Sequence, residues 1–358
     1  MPGDKKAKEG WVTTGEKGDF KRAESVFRNW IKADGSTEFP VEKDRYVVYI
    51  SYACPWASRV YAAINLLGLR DVFEIIPVED VFQRTRPDDP DDEHKGWVFS
   101  ERRPDTLLGT STIREIYELQ DPDVETRYTV PIVFDKKQKR IVSNESAEIL
   151  RMINSEFGSL RDKDSGPLAE IDLYPEDLRE AIDEVNAWVY PQLNNGVYRC
   201  GFAVKQEAYD EAVSDVWDAL DKAEAILARQ RYMTGDRFTE ADLRLFVTCI
   251  RYDEIYAEHF KCTRRIADTC PNLWGFTREI YQMPGIKETV VLDACSNHYR
   301  KSHPTINPHG IIPISYFRIK SSKPFPECAY EAFSAPHGRD KAGRASKSGF
   351  RAMFSSSH

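Results

Sequence analysis

The chain holds 358 residues, 41% of them hydrophobic and 30% charged, with a formal net charge of −8 at pH 7. That length accommodates two domains of ordinary size, and no apolar run approaches the roughly 20 residues of a membrane-spanning helix. The acidic balance argues against a nucleic-acid surface, whose footprint is a basic stripe, and seven scattered cysteines read as free thiols in a reducing compartment.

Residues 1–43 read as an N-terminal extension. Its start carries charge but no apolar core of the kind a secretory signal needs, so a cytoplasmic location is expected. Its aromatic residues Trp11, Phe20, Phe27 and Trp30 suggest that part of it packs on the body. "RYVVYIS" then reads as a strand, "PWASRVYAAINLLGL" as a helix opened by Pro55 and closed by Gly68, and "VFEIIPV" as a second strand. An insertion at 79–110, polar and proline-bearing, interrupts the pattern. Its first half, "RTRPDDPDDEH", is strongly acidic and suggests no role. Trp97, Phe99 and two arginines mark its second half as functional. A helix over "TSTIREIYELQ" precedes the strands "TRYTVPIVFD" and "RIVS" and the helix opening at "SNESAEIL". The order β-α-β-α-β-β-α over 44–160 is the thioredoxin arrangement.

Helices fill 170–330. In "PEDLREAIDEVNAWVY", Leu178, Ile182, Val185 and Val189 share one face, and a similar stripe runs from Val213 to Leu227. Thr239-x-x-Asp242 resembles a capping box opening a nearly continuous apolar helix, which should be central in a bundle. Asp242 reads as structural. The tail 331–358 is polar and rich in small residues, and disorder is expected there.

The chemistry centres on "YACPWASR". A cysteine preceding a helix sits at the positive end of the backbone dipole, where a thiolate is stabilised. Pro55 suits the first turn, where its missing N–H costs nothing. Cys54 is therefore placed as a nucleophile, against the alternative of a small buried apolar residue. Dithiol redox sites carry a second cysteine three positions on, but Ala57 stands there. A mixed disulfide on Cys54 must be resolved by an external thiol, with glutathione the obvious intracellular candidate. Val130-Pro131 begins a strand at the place where thioredoxin folds carry a cis proline that leaves the preceding backbone open to an extended peptide; an ordinary trans proline is the alternative. The helix start at Glu145 and Ser146 suits the ammonium and carboxylate of a γ-glutamyl group, although a plain helix cap reads the same way.

These motifs, together with "KGWVFSERRP", "TVPIVFD", "NNGVYRCGFA" and "GDRFTEADLRLFVT", resemble the glutathione transferase superfamily, specifically its Xi class, the glutathionyl-hydroquinone reductases. The resemblance runs from about 40 to about 325. It implies a thioredoxin-like domain followed by an all-helical domain, and a homodimer. It implies a reaction in which Cys54 takes the glutathionyl group from an aromatic conjugate and a second glutathione restores the thiolate. It points to Trp97 and Arg103 for the glycyl end of glutathione, with Arg102 as a neighbouring candidate, and to Val130, Glu145 and Ser146 for the remainder. Tyr198, Tyr252 and Tyr299, with Trp56, surround the aromatic substrate on this reading; Tyr256 rivals Tyr252, and Tyr198 and Tyr299 assist the departing carbon. His303 and Asn307 would hold the segment around Tyr299. Each tyrosine has a plain core reading beside this one, since the chain holds 17.

Three other readings compete. A general glutathione-dependent thioltransferase or dehydroascorbate reductase shares the cysteine chemistry; Trp56 and the tyrosines favour aromatic substrates. A non-catalytic binding module would be favoured by loss of Cys54, which is present. A zinc site among His259, Cys262, Cys270, Cys295 and His298 lacks the compact knuckle of structural zinc, so no metal is expected.

Overall fold

The computed structural model describes residues 13–15, 17–124, 126–162 and 170–339. They fall into two units. The first takes residues up to Ile171 and is re-entered at Phe202–Lys205 and Glu288–Pro313, stretches that the sequence reading places in the helical domain. The expected disorder of the tail falls mostly on 340–358, outside the described residues; 331–334 instead close a helix.

In the first unit, a short ribbon pairs β1 (Thr13–Thr14) with β2 (Phe20–Lys21). The main sheet is built from β3 (Tyr46–Ile50), β4 (Glu74–Pro77) and two later strands. A second ribbon, β5 (Gln83–Arg84) with β6 (Lys95–Gly96), lies within the insertion. Strands β7 (Ile132–Asp135) and β8 (Arg140–Ser143) complete the sheet in the order β4-β3-β7-β8, with β3 parallel to β4 and antiparallel to β7. This is the thioredoxin order that the sequence pattern predicts. β3 is buried along its whole length, where β-branched and aromatic side chains fit the pleat and each buried side chain adds roughly 1.5–3 kcal/mol.

Helix α1 (Pro55–Leu66) begins with the proline at its first position. It ends in a Schellman turn: Leu69 N–H donates to Ile64 and Gly68 N–H to Asn65, with Gly68 at φ 64°. α2 (Ile113–Glu118) follows the insertion, and α3 (Ser146–Glu156) follows β8 and packs beside α1. The described part of the N-terminal extension does pack on this body. Ile31 N–H donates to Met152 Sδ, Phe27 meets Tyr117 edge-on, and Phe20 is buried.

The second unit contains α4 (Arg179–Trp188), α5 (Gly196–Phe202, whose last residue belongs to the first unit), α6 (Gln206–Leu227), α7 (Glu240–Arg251), α8 (Ala257–His259), α9 (Ile266–Thr269) and α10 (Pro271–Tyr281). α11 (Leu292–Ser302) returns to the first unit, and α12 (Glu327–Ser334) lies in the second. π-helical turns at Val189–Asn194 and Tyr252–Tyr256 extend α4 and α7. Every residue of α7 is buried, as expected of a central helix. Its start is the expected capping box: the Asp242 carboxylate accepts from Thr239 N–H at 2.8 Å and from Met233 N–H at 2.7 Å. Gly201 allows α5 to lie against Phe260, where a Cβ at this position would stand 2.0 Å from the ring.

Candidate active site

Cys54 is the N-cap residue of α1, with extended backbone (φ −75°, ψ 118°). Its carbonyl accepts the first helical bond, from Ser58 N–H. The positive end of the helix dipole therefore lies at its side chain. The sulfur lies 3.5 Å from the Val130 carbonyl oxygen, and the Val130–Pro131 peptide is cis. Of the seven cysteines, Cys54 alone is half-buried and the other six are buried. Burial pushes the Cys249 and Cys262 thiols well above their ordinary range and raises Cys270 as well. Cys54 is thus the one thiol that combines access with a helix N-terminus.

The start of α3 lies across from it. Glu145 is the N-cap residue, and its Oε1 accepts from Ala147 N–H at 2.9 Å. Its Oε2 accepts from Ser25 Oγ of the N-terminal extension at 3.0 Å. Ser146 is buried, and its hydroxyl accepts from Arg59 Nη2 at 2.6 Å. The Arg59 guanidinium also stands 3.8 Å from Glu145 and 5.0 Å from the centre of the Trp56 ring, where Arg22 lies at 4.9 Å. Arg59 is the last residue of "YACPWASR", and the sequence reading gave it no role. One turn past Cys54 and 2% exposed, it ties the nucleophile's helix to the helix that opens at Ser146.

The other end of this face is formed by the second half of the insertion. Trp97 is nearly buried, stacked on His298 at 4.6 Å with 24° between the planes, and set edge-on to Phe82 at 4.5 Å. The two candidate arginines separate clearly. Arg102 is exposed and pairs with Glu79. Arg103 turns inward: its Nη1 donates to the Val78 carbonyl at 2.8 Å and to the Asp80 carboxylate, and its guanidinium lies 5.2 Å from the Tyr52 ring centre. The acidic first half of the insertion folds on α2. Asp92 pairs with Arg114 at 2.5 Å, Arg84 donates to the Asp89 and Asp92 carbonyls, and Thr85 Oγ1 lies 2.8 Å from His94 Nδ1.

The tyrosines divide between the units. Tyr299 lies in the first, buried between His298 at 5.2 Å and His303 at 5.5 Å. Asn307 donates to the Arg300 and Ile311 carbonyls, closing the turn after α11 as expected. Tyr198, Tyr252 and Tyr256 lie in the second unit. Tyr198 is 6.1 Å from Tyr256 and 5.2 Å from Phe260; Tyr252 is 6.5 Å from Tyr256. Tyr252 and Tyr256 are fully buried, and burial pushes the Tyr252 phenol well above its ordinary range. Within the first unit, then, Cys54, Trp56, Trp97, Arg103, Val130, Glu145, Ser146 and Tyr299 share one body. Arg59 and His298, which the sequence did not single out for this chemistry, join them. Among the described residues no group of three His, Cys, Asp or Glu side chains is placed to hold a metal ion, and no helix is long and apolar enough to cross a membrane.

Comparison with known proteins accords with this geometry. The family models for the N-terminal and C-terminal domains of glutathione S-transferase match residues 53–156 and 206–279. The glutathionyl-hydroquinone reductase YqjG of Escherichia coli strain K12 is 43% identical over 333 residues, covering 90% of this chain and 93% of that protein. The crystal structure of a Xi glutathione S-transferase from Phanerochaete chrysosporium superposes with a TM-score of 0.78 at 41% identity, over 88% of this chain and 96% of the other. The glutathione-bound structure of YqjG gives 0.77 at 43%, over 89% and 99%.

Proposed function

Because the chain belongs to the glutathione S-transferase family, in its Xi class, we propose that it reduces S-glutathionyl-hydroquinones through Cys54. The observation that carries this reading is the one accessible thiol, placed at a helix N-terminus beside Val130–Pro131 with Ala57 where a resolving cysteine would stand.

The peptide part of the conjugate lies along the first unit. Its γ-glutamyl end meets Glu145 and Ser146, its backbone pairs with Val130, and its glycyl carboxylate faces Trp97 and Arg103. The Cys54 thiolate attacks the glutathionyl sulfur, and the carbon–sulfur bond to the ring breaks. The ring carbon takes the bonding pair and a proton, giving the hydroquinone and a Cys54–glutathione disulfide. A second glutathione, as thiolate, attacks the glutathione sulfur of that disulfide. Oxidised glutathione leaves and the Cys54 thiolate returns. Two electrons reach the aromatic product, one from each of the two glutathione sulfurs that end in the disulfide, the conjugate's thioether sulfur and the second glutathione's thiol.

Mass spectrometry tests the first step directly. Protein mixed with one equivalent of a glutathionyl-hydroquinone, with no free thiol, should gain one glutathionyl group on Cys54 and release one equivalent of hydroquinone. A Cys54→Ser variant should do neither, because a hydroxyl is a far weaker nucleophile than a thiolate at neutral pH. Hydroquinone release at near-native rate from Cys54→Ser would refute the mechanism.

A further inference from the structure

Helix α11 does more than carry Tyr299. Cys295, His298 and Ser302 follow one another at helical spacing along one face, and each meets a segment of the glycyl side. Cys295 Sγ lies 3.6 Å from the carbonyl oxygen of Tyr52, the residue whose ring sits under the Arg103 guanidinium. His298 Nδ1 lies 3.0 Å from the Asp80 carbonyl oxygen. Ser302 Oγ accepts from Phe82 N–H at 3.0 Å. The His298 ring covers the face of Trp97 in the 4.6 Å stack, and Phe82 closes the edge of both rings. Arg103 grips the same 78–80 segment through the Val78 carbonyl and the Asp80 carboxylate. One imidazole therefore touches the Trp97 ring and the strand of backbone that orients Arg103.

We propose that His298 is the positioning residue of the glycyl subsite, fixing Trp97 by stacking and Arg103 through Asp80, so that the enzyme distinguishes a glutathionyl group from a γ-glutamylcysteinyl group. This rests on the assignment of Trp97 and Arg103 to the glycyl end. The imidazole suits the task chemically. Burial pushes its pKa down to about 3, so it is neutral at working pH, and the Asp80 carbonyl then fixes the tautomer with the proton on Nδ1. It adds no second cation to compete with Arg103 for the carboxylate. Stacking on a flat aromatic face resists rotation of the indole, and a bond to a backbone carbonyl resists displacement of the segment. Neither requires His298 to touch the ligand.

The test varies the peptide half of the conjugate. The full-length protein and its His298→Leu variant are assayed on a glutathionyl-hydroquinone and on the matching γ-glutamylcysteinyl-hydroquinone, which lacks the glycine, with glutathione as reductant throughout. The native protein should show a KM lower by about tenfold for the glutathionyl conjugate, the order of one charge-assisted contact. His298→Leu should raise that KM to the level of the shorter conjugate, leaving both kcat values and the KM for the shorter conjugate within about twofold. A general structural role would raise both KM values together or lower both kcat values, and either result overturns the inference, as does a preserved preference. If His298→Leu does not fold, His298→Asn gives the same comparison, since an amide keeps a donor toward Asp80 while the stacked ring is lost; half of the preference should remain. A native protein with equal KM for the two conjugates would remove the glycyl assignment itself, and this inference with it, while leaving the Cys54 chemistry standing.

Discussion

Tyr198 keeps 6% exposure while Tyr252 and Tyr256 keep none, and on that ground we propose it as the proton donor. The proposed reaction differs from ordinary disulfide exchange at one atom. An aryl carbon leaves sulfur poorly unless it is protonated as it leaves, or the ring first rearranges to its keto tautomer, whereas a thiolate leaves unaided. A phenol, with an ordinary pKa near ~10, is protonated at neutral pH and can donate. General acid assistance of this kind contributes about 10²–10⁴-fold. Tyr198→Phe should therefore slow hydroquinone release by about 100-fold or more, and slow reduction of hydroxyethyl disulfide by less than about threefold. Parallel kinetics on the two substrates check this, and equal losses would move the donor to Tyr299 or to water. The residues of this scale that the sequence revealed are those whose meaning is local. Cys54 before Pro55, the Val130–Pro131 pair and the Glu145–Ser146 helix start are each legible within a few positions. Arg59 and His298 are not, because their partners Ser146 and Asp80 are 87 and 218 residues away in the chain. Nothing in a run of neighbours signals that.

At the scale of single elements, α7 shows how a local rule and tertiary burial combine. The Thr239-x-x-Asp242 spacing announces the capping box, and the structure adds a third bond that spacing could not, from Met233 N–H nine residues back. Asp242 is fully buried, and burial raises its pKa to about 7 in spite of the donors around it. Asp242→Ala would leave the Met233 and Thr239 N–H groups without their acceptor inside the second unit. The loss of a cap and of two buried bonds should cost about 3 kcal/mol, readable as a lower urea midpoint with an unchanged slope. A change under about 1 kcal/mol would mean that α7 starts without help from its cap. The insertion is the opposite case. Its acidic run suggests no role in the sequence, yet Arg84 and Arg114 draw it into a ribbon against α2. Arg114 lies outside the acidic run and Arg84 only opens it, so its charge alone suggested no structure.

For the whole molecule, the periods of two and 3.6 marked the four strands of the main sheet and the helices around them, because each element shows its buried face locally, but not the two short ribbons β1–β2 and β5–β6. They did not show that Glu288–Pro313 belongs with the first unit, since a helix displays the same apolar stripe whichever body receives it. With this partition, the buried His298, Asp242 and Asp253 predict opposite responses to pH around α11 and α7. In the first, burial holds His298 at about 3, against an ordinary 6.5. A depressed folded pKa contributes stability that is present above 6.5 and lost as pH falls toward 3. The second unit contains Asp242, raised to about 7, and Asp253, raised to about 6, both by burial. A raised folded pKa contributes stability that is present below 3.8 and lost as pH rises through 6 and 7. Between pH 8 and pH 5, acidification therefore weakens the surroundings of α11 and strengthens those of α7. For each group, about 1.4 kcal/mol accrues per pH unit over which folded and unfolded states differ by a full proton. Hydrogen exchange followed by mass spectrometry, corrected for the intrinsic rate at each pH, reads the two helices separately. On going from pH 8 to pH 5, protection over residues 292–302 should fall while protection over 240–251 holds or rises. Parallel loss in both helices would show that the buried His298 and the two buried aspartates do not govern the acid response of their units.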